Sequence, residues 1–124
     1  MRILIAEDEP LMLKTLELKL KKEGYDVLGC PDGRDALNKI SHFMPDMVIT
    51  DIMLPYASGL EIVNAVKAIG EKNIPVIVLS AMGQENTVEE AFTLGADDYV
   101  TKPFSLTELA MRIKRLARSS VKTA

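Results

Sequence analysis

Short aliphatic runs alternate with longer amphipathic stretches five times along this chain, and that alternation constrains the fold more than any other feature. Candidate strands run from Arg2 to Ala6, Tyr25 to Gly29, Met47 to Thr50, Val76 to Leu79 and Asp98 to Val100. Most are short and nearly all apolar, as strands covered by helices on both faces should be. Candidate helices run from Pro10 to Glu23, Asp32 to Ser41, Gly59 to Ile69, Glu85 to Leu94 and Leu106 to Arg118. Strict alternation of strand and helix predicts an α/β protein with a parallel, doubly wound sheet and right-handed crossovers.

Local signals place the ends of these elements. In the last helix Leu106, Leu109, Ile113 and Leu116 form one stripe, while Arg112, Arg115 and Arg118 fall on other faces. Ser105 with Glu108 three residues on matches a capping box. Gly24 and Gly95 follow helical runs where a left-handed residue is wanted, and Pro31, Pro45 and Pro75 punctuate loops. The chain of 124 residues is expected to form one domain over 1–118, with 119–124 a tail or the start of a linker.

Composition removes several function classes. A hydrophobic fraction of 48% with 27% charged residues is the balance of a soluble globular domain. No apolar stretch reaches spanning length and the N-terminus lacks a signal-peptide pattern, so a cytoplasmic location without membrane contact is expected. Cys30 is the sole cysteine, which excludes an internal disulfide, and its place at a strand end reads as a buried or half-buried thiol. His42, the sole histidine, is expected just after a helix, and a histidine-based triad has no parts. A net charge of −3 argues against a nucleic-acid-binding surface spread over the whole domain.

In an open parallel sheet, ligands bind beyond the carboxyl ends of the strands. The residues there are Glu7, Asp8 and Glu9 after the first strand, Asp51 after the third, Ser80 after the fourth and Lys102 after the fifth. If the first and third strands are neighbours, Asp8 and Asp51 converge, and their repulsion calls for a hard, oxygen-loving cation. Mg²⁺ suits such a site, with Mn²⁺ an acceptable substitute. The structural alternative is that these acids simply cap the first helix, and for Glu9 alone that is the preferred reading. A carboxylate is also a nucleophile able to form an acyl phosphate, and Asp51 is the candidate. Lys102 would set a positive charge on the phosphate, while Ser80 would donate its hydroxyl to it.

Three blocks now fit a known pattern: Ile3 to Pro10, Asp46 to Pro55 and Gly95 to Phe104, or ILIAEDEP, DMVITDIMLP and GADDYVTKPF. Together they resemble the receiver domain of response regulators, the CheY-like fold, over nearly the whole chain. The resemblance implies the strand order 2-1-3-4-5 and phosphorylation of Asp51 by a histidine kinase or a phosphotransfer protein. It implies that Asp8, Asp51 and the backbone carbonyl of Met53 hold Mg²⁺, with Glu7 positioning water or metal. Ser80 resembles the switch hydroxyl, Tyr99 the aromatic that turns inward with it, and Lys102 the phosphate lysine, followed by a cis bond to Pro103. Such a protein is a phosphoacceptor switch, not an enzyme acting on a separate substrate.

Asp97-Asp98-Tyr99 followed by Glu108, Arg112 and Arg115 is similar to receivers of OmpR/PhoB-type transcription factors. That likeness implies a homodimer through the fourth helix, fifth strand and fifth helix, in which Asp97 and Asp98 meet Arg115 and Arg112 across the interface. Val88 departs from it, standing where a basic residue usually faces Glu108. Ser80 and Ser58 replace the commoner threonine and aspartate. DNA would be reached only through an output domain outside these 124 residues.

Two other readings are weaker. A haloacid-dehalogenase phosphohydrolase needs a second acid two residues past the nucleophile, where this chain has Met53, and a dinucleotide site needs glycines where Glu7-Asp8-Glu9-Pro10 stands. A pseudo-receiver, binding partners without phosphoryl chemistry, is the serious alternative; the presence of Asp8, Asp51, Ser80 and Lys102 disfavours it.

Overall fold

The computed structural model describes residues 1–70 and 72–122. Five strands, β1 (Arg2–Ala6), β2 (Asp26–Cys30), β3 (Met47–Asp51), β4 (Val76–Ser80) and β5 (Asp98–Thr101), form one parallel sheet in the order β2-β1-β3-β4-β5. The helices between and after them are α1 (Pro10–Lys22), α2 (Gly33–Phe43), α3 (Gly59–Lys67), α4 (Glu85–Leu94) and α5 (Leu106–Lys122). The expected fold class and strand order are both borne out.

Alternation of side chains along each strand divides the core in two. Leu4, Val48, Val76 and Val78 point to a layer completed by Ile40 of α2, Ile62 and Val66 of α3, and Ala91 of α4. Ile3, Ile5, Ile49 and Ile77 point the other way, onto Leu16 and Leu20 of α1 and Leu109 and Ile113 of α5. Burying each such aliphatic side chain contributes about 1.5–3 kcal/mol. The central strands β3 and β4 are buried at every position, which is why each reads as an apolar run up to its polar carboxyl end. Edge strand β5 instead alternates buried and exposed residues.

Side-chain caps start four helices. Glu9 accepts from the amides of Leu11 and Met12, Asp32 from Asp35, Ser58 from Glu61 and Ser105 from Glu108. Each satisfies an amide that the helix itself leaves free. Gly24 and Gly95 take φ of +98° and +115° after α1 and α4. His42 lies inside the last turn of α2, not after it, with Nδ1 3.3 Å from the Asn38 carbonyl. Helix α5 continues to Lys122, about a turn past its expected end at Arg118, and positions 123–124 of the expected tail lie outside the described residues.

Candidate functional site

The parallel sheet brings the ends of β1, β3, β4 and β5 to one edge. Pairing of Ala6 with Thr50 sets Glu7 and Asp8 beside Asp51, and pairing of Asp51 with Leu79 sets Ser80 next to them. Oxygens of Glu7, Asp8 and Asp51 lie within 4.8 Å of one another. Asp8 is exposed, whereas Glu7 is fully buried and Asp51 is 4% exposed. Lys102 arrives from the end of β5, its amide donating to the Ser80 carbonyl at 2.7 Å. Its ammonium donates to Glu7 Oε1 at 2.8 Å and lies 2.9 Å from Asp51 Oδ1. The Lys102-Pro103 peptide is cis.

Three carboxyl groups converge on one ammonium, and two of them, Glu7 and Asp51, are buried. Burial, and then the neighbouring Glu7 carboxyl, push Asp51 up to about 8, against the pull of Lys102. Burial also acts to raise Glu7, but hydrogen bonding with Asp51, Lys102 and the Glu9 amide outweighs it and holds Glu7 low. The Lys102 contact to Asp51 Oδ1 lacks hydrogen-bond alignment, so among the described residues that buried oxygen has no hydrogen-bond partner. Three converging carboxyl groups and a buried Asp51 oxygen without a hydrogen-bond partner fit a small divalent cation.

Met53 lies two residues past Asp51 in the loop from β3 to α3, with its side chain exposed. Gly59 lets that loop close tightly, its amide donating to the Ile52 carbonyl at 2.8 Å. A Cβ at position 59 would sit 2.1 Å from the Asp51 carbonyl oxygen. The Thr50 hydroxyl donates to that same carbonyl at 2.9 Å.

Ser80 is buried at the end of β4, and Tyr99 stands apart from the acids. The Tyr99 ring is 43% exposed and meets Phe92 of α4 edge-on at 5.8 Å. A groove of about 500 Å³ between them is bordered by Ser80, Met82, Val88, Phe92, Tyr99 and Thr101. Sequence reasoning did not single out Phe92, Thr50 or the Glu7–Lys102 pair. The alternation of β1 carried a signal for the last, because Glu7 shares the parity of Ile3 and Ile5, which face α5.

The charged residues expected to meet across a dimer are engaged within the chain. Asp98 receives Arg112 Nη1 at 2.8 Å and Arg115 Nη2 at 3.0 Å. Asp97 instead receives Lys67 Nζ and the Val76 amide, each at 2.8 Å. Val88 is a core residue, and Glu108 pairs along its own helix with Arg112 at 3.4 Å.

A five-stranded 2-1-3-4-5 sheet with three acids and a lysine at its carboxyl edge is an α/β domain of the doubly wound class, with its polar cluster where such sheets bind ligands. The response regulator receiver domain family matches residues 3–114, and the chain belongs to it. It is therefore a receiver domain of two-component signal transduction. It is 44% identical to response regulator RR06 of Streptococcus pneumoniae over 119 residues, covering 95% of this chain and 54% of that protein. The chain thus spans about half the length of that curated relative. Among solved structures it resembles a CheY-like receiver domain protein of Methanospirillum hungatei, with a TM-score of 0.92, 27% identity, and 99% and 98% of the two chains covered. It also resembles the receiver domain of the Francisella response regulator 1452, with a TM-score of 0.85, 31% identity, and 95% and 97% covered. Among the described residues no helix is long and apolar enough to cross a membrane.

Proposed function

We propose that Asp51 is the phosphoacceptor, taking its phosphoryl group from a phosphohistidine on a sensor histidine kinase or phosphotransfer protein. A carboxylate oxygen of Asp51 attacks phosphorus, the phosphorus–nitrogen bond breaks, and the donor histidine leaves with that electron pair. The observation that carries this reading is the buried Asp51 Oδ1, which accepts no hydrogen bond, set beside Lys102 and two further acids. Asp8, Asp51 and the Met53 carbonyl are the residues that would hold Mg²⁺, with Glu7 positioning water or the metal and anchoring Lys102. When bound, the divalent ion neutralises the paired carboxylates and the phosphoryl oxygens.

Lys102 balances charge on the new phosphoryl group and Ser80 donates its hydroxyl to it. Withdrawal of Ser80 towards the phosphate opens room for Tyr99 to leave its exposed place against Phe92, biasing a two-state surface. Residues 1–118 form the signalling unit, of the OmpR/PhoB type, and any contact with DNA would be made through an output domain outside these residues. Homodimerisation uses the face of α4, β5 and α5, where Arg112 and Arg115 exchange their in-chain partner for one on the second copy.

Mg²⁺ with beryllofluoride, an acyl-phosphate mimic, tests the central assignment. An adduct at Asp51, absent in Asp51→Asn, is the expected result; a wild-type chain that forms none is a partner-binding module without phosphoryl chemistry. Light scattering that reports monomer both with and without the adduct would remove the dimer.

A further inference from the structure

Two described non-glycine residues have positive φ, and Met44 is one of them, at the C-cap of α2. Tyr56 is the other, with φ of +71° in the loop between β3 and α3. The Ala57 amide donates to the Pro55 carbonyl at 2.8 Å, closing a three-residue γ-turn around Tyr56. With positive φ this is the rarer, strained form of that turn, disfavoured for a side chain with a Cβ. The Tyr56 ring is 72% exposed, so core burial does not hold it there.

The first turn of α2 does. The Arg34 guanidinium carbon lies 4.5 Å from the centroid of the Tyr56 ring, within cation–π range. The Gly33 amide donates to the Pro55 carbonyl at 3.1 Å. A Cβ at position 33 would sit 1.8 Å from the Ala57 carbonyl oxygen, so only glycine admits this approach. Held at its base by Gly59 and at its tip by α2, the loop between them carries Met53.

We propose that Arg34 and Tyr56 form a clasp that fixes the 52–58 loop and thereby sets the Met53 carbonyl for the divalent cation. Both are positioning residues, Arg34 acting through the Tyr56 ring. The inference rests on the reading of Met53 as a ligand. Stacking of a guanidinium on an exposed ring corresponds to about a two- to fivefold effect on an equilibrium.

The test is ¹⁵N NMR, following Mg²⁺ titration at the Asp8 and Asp51 amides and hydrogen exchange at the Ala57 amide. Tyr56→Phe keeps the ring and is expected to match wild type in both. Tyr56→Ala is expected to weaken Mg²⁺ binding about two- to fivefold and to speed Ala57 exchange by a like factor. Arg34→Ala alone also removes a positive charge, so exchange is its readout: faster with the ring present, unchanged when added to Tyr56→Ala. Wild-type Mg²⁺ affinity and Ala57 exchange in Tyr56→Ala would overturn the clasp. Asp8→Asn separates the two readings, since it should lose Mg²⁺ while Ala57 exchange stays as in wild type. If the wild-type chain shows no Mg²⁺-dependent shift at Asp8 or Asp51, the metal-site reading falls and the clasp falls with it.

Discussion

Lys102 Nζ and Glu7 Oε1 meet at 2.8 Å across 95 residues of sequence, tying the end of β5 to the end of β1. The same ammonium is 2.9 Å from Asp51 Oδ1, so one cation serves two buried carboxylates. Lys102 is thus a structural counter-ion in the metal-free domain and a phosphate ligand in the proposed signalling state.

Lys102→Ala separates those roles. Removing one partner of a fully buried pair costs about 3–5 kcal/mol, and because Lys102 is 30% exposed, a loss of about 1–2 kcal/mol is expected without metal. Saturating Mg²⁺ is expected to restore most of it by binding only the folded site. Mg²⁺ affinity itself should rise, since a competing positive charge is gone. Urea midpoints with and without Mg²⁺ check this, and equal losses in both conditions would show that Lys102 does not share its charge role with the cation.

Asp51→Asn is expected to stabilise the metal-free fold while abolishing phosphorylation. Burial and then Glu7 push Asp51 up to about 8 in the folded state, against an ordinary value of 3.8. A carboxyl raised on folding is destabilising wherever the unfolded chain would ionise it, that is, above 3.8. At neutral pH the amide removes that penalty, for a gain of about 1–3 kcal/mol, whereas near pH 3.5 the two proteins should converge. Denaturation at both pH values checks the sign, which reverses if Lys102 fully compensates Asp51.

Gly59→Ala should be among the most damaging single-methyl changes available. Its Cβ would fall 2.1 Å from the Asp51 carbonyl oxygen and 2.8 Å from Ile52 Cα, both backbone atoms that cannot rotate away. A loss of about 3 kcal/mol or more is expected, together with displacement of the loop that carries Met53. Gly70→Ala, whose Cβ meets no described atom within 4 Å, is the control and should be near neutral. Similar urea midpoints for the two variants would show that the loop yields.

What the sequence displayed was local. The spans of β1 and α4, the Ser105 cap, and glycines at positions 24 and 95 each depend on a few adjacent residues, and the structure has them where expected. Strand order came from resemblance, because periodicity gives a strand's faces and not its neighbours. The in-chain partners of the arginines were hidden for the same reason. Helical spacing put Arg112 and Arg115 off the core stripe, but only the packing of α5 against β5 shows both converging on Asp98 and leaving Asp97 to Lys67. Tyr56 carried no signal at all, since a bulky residue is the last one sequence reasoning would assign to positive φ.

At the opposite end of the sheet, Asp46 gives the fold an acid-sensitive tie. Its carboxylate accepts the Arg2 amide at 2.7 Å and pairs with Lys72, fastening the start of β1 to the segment before β4. Partial burial acts to raise its pKa, but Lys72 and the Arg2 amide outweigh it and hold Asp46 below its ordinary 3.8. A carboxylate lowered on folding contributes stability that is fully present above 3.8 and lost as pH falls through the folded value. Asp46→Asn keeps an acceptor for the Arg2 amide but gives up the charge, so its stability should lie below wild type at neutral pH. The gap should narrow as pH falls below about 4 and the wild-type carboxylate takes up its proton. Urea midpoints measured from neutral pH down to about pH 3 check this, and a gap that stays constant across the range would assign the role of Asp46 to hydrogen bonding alone.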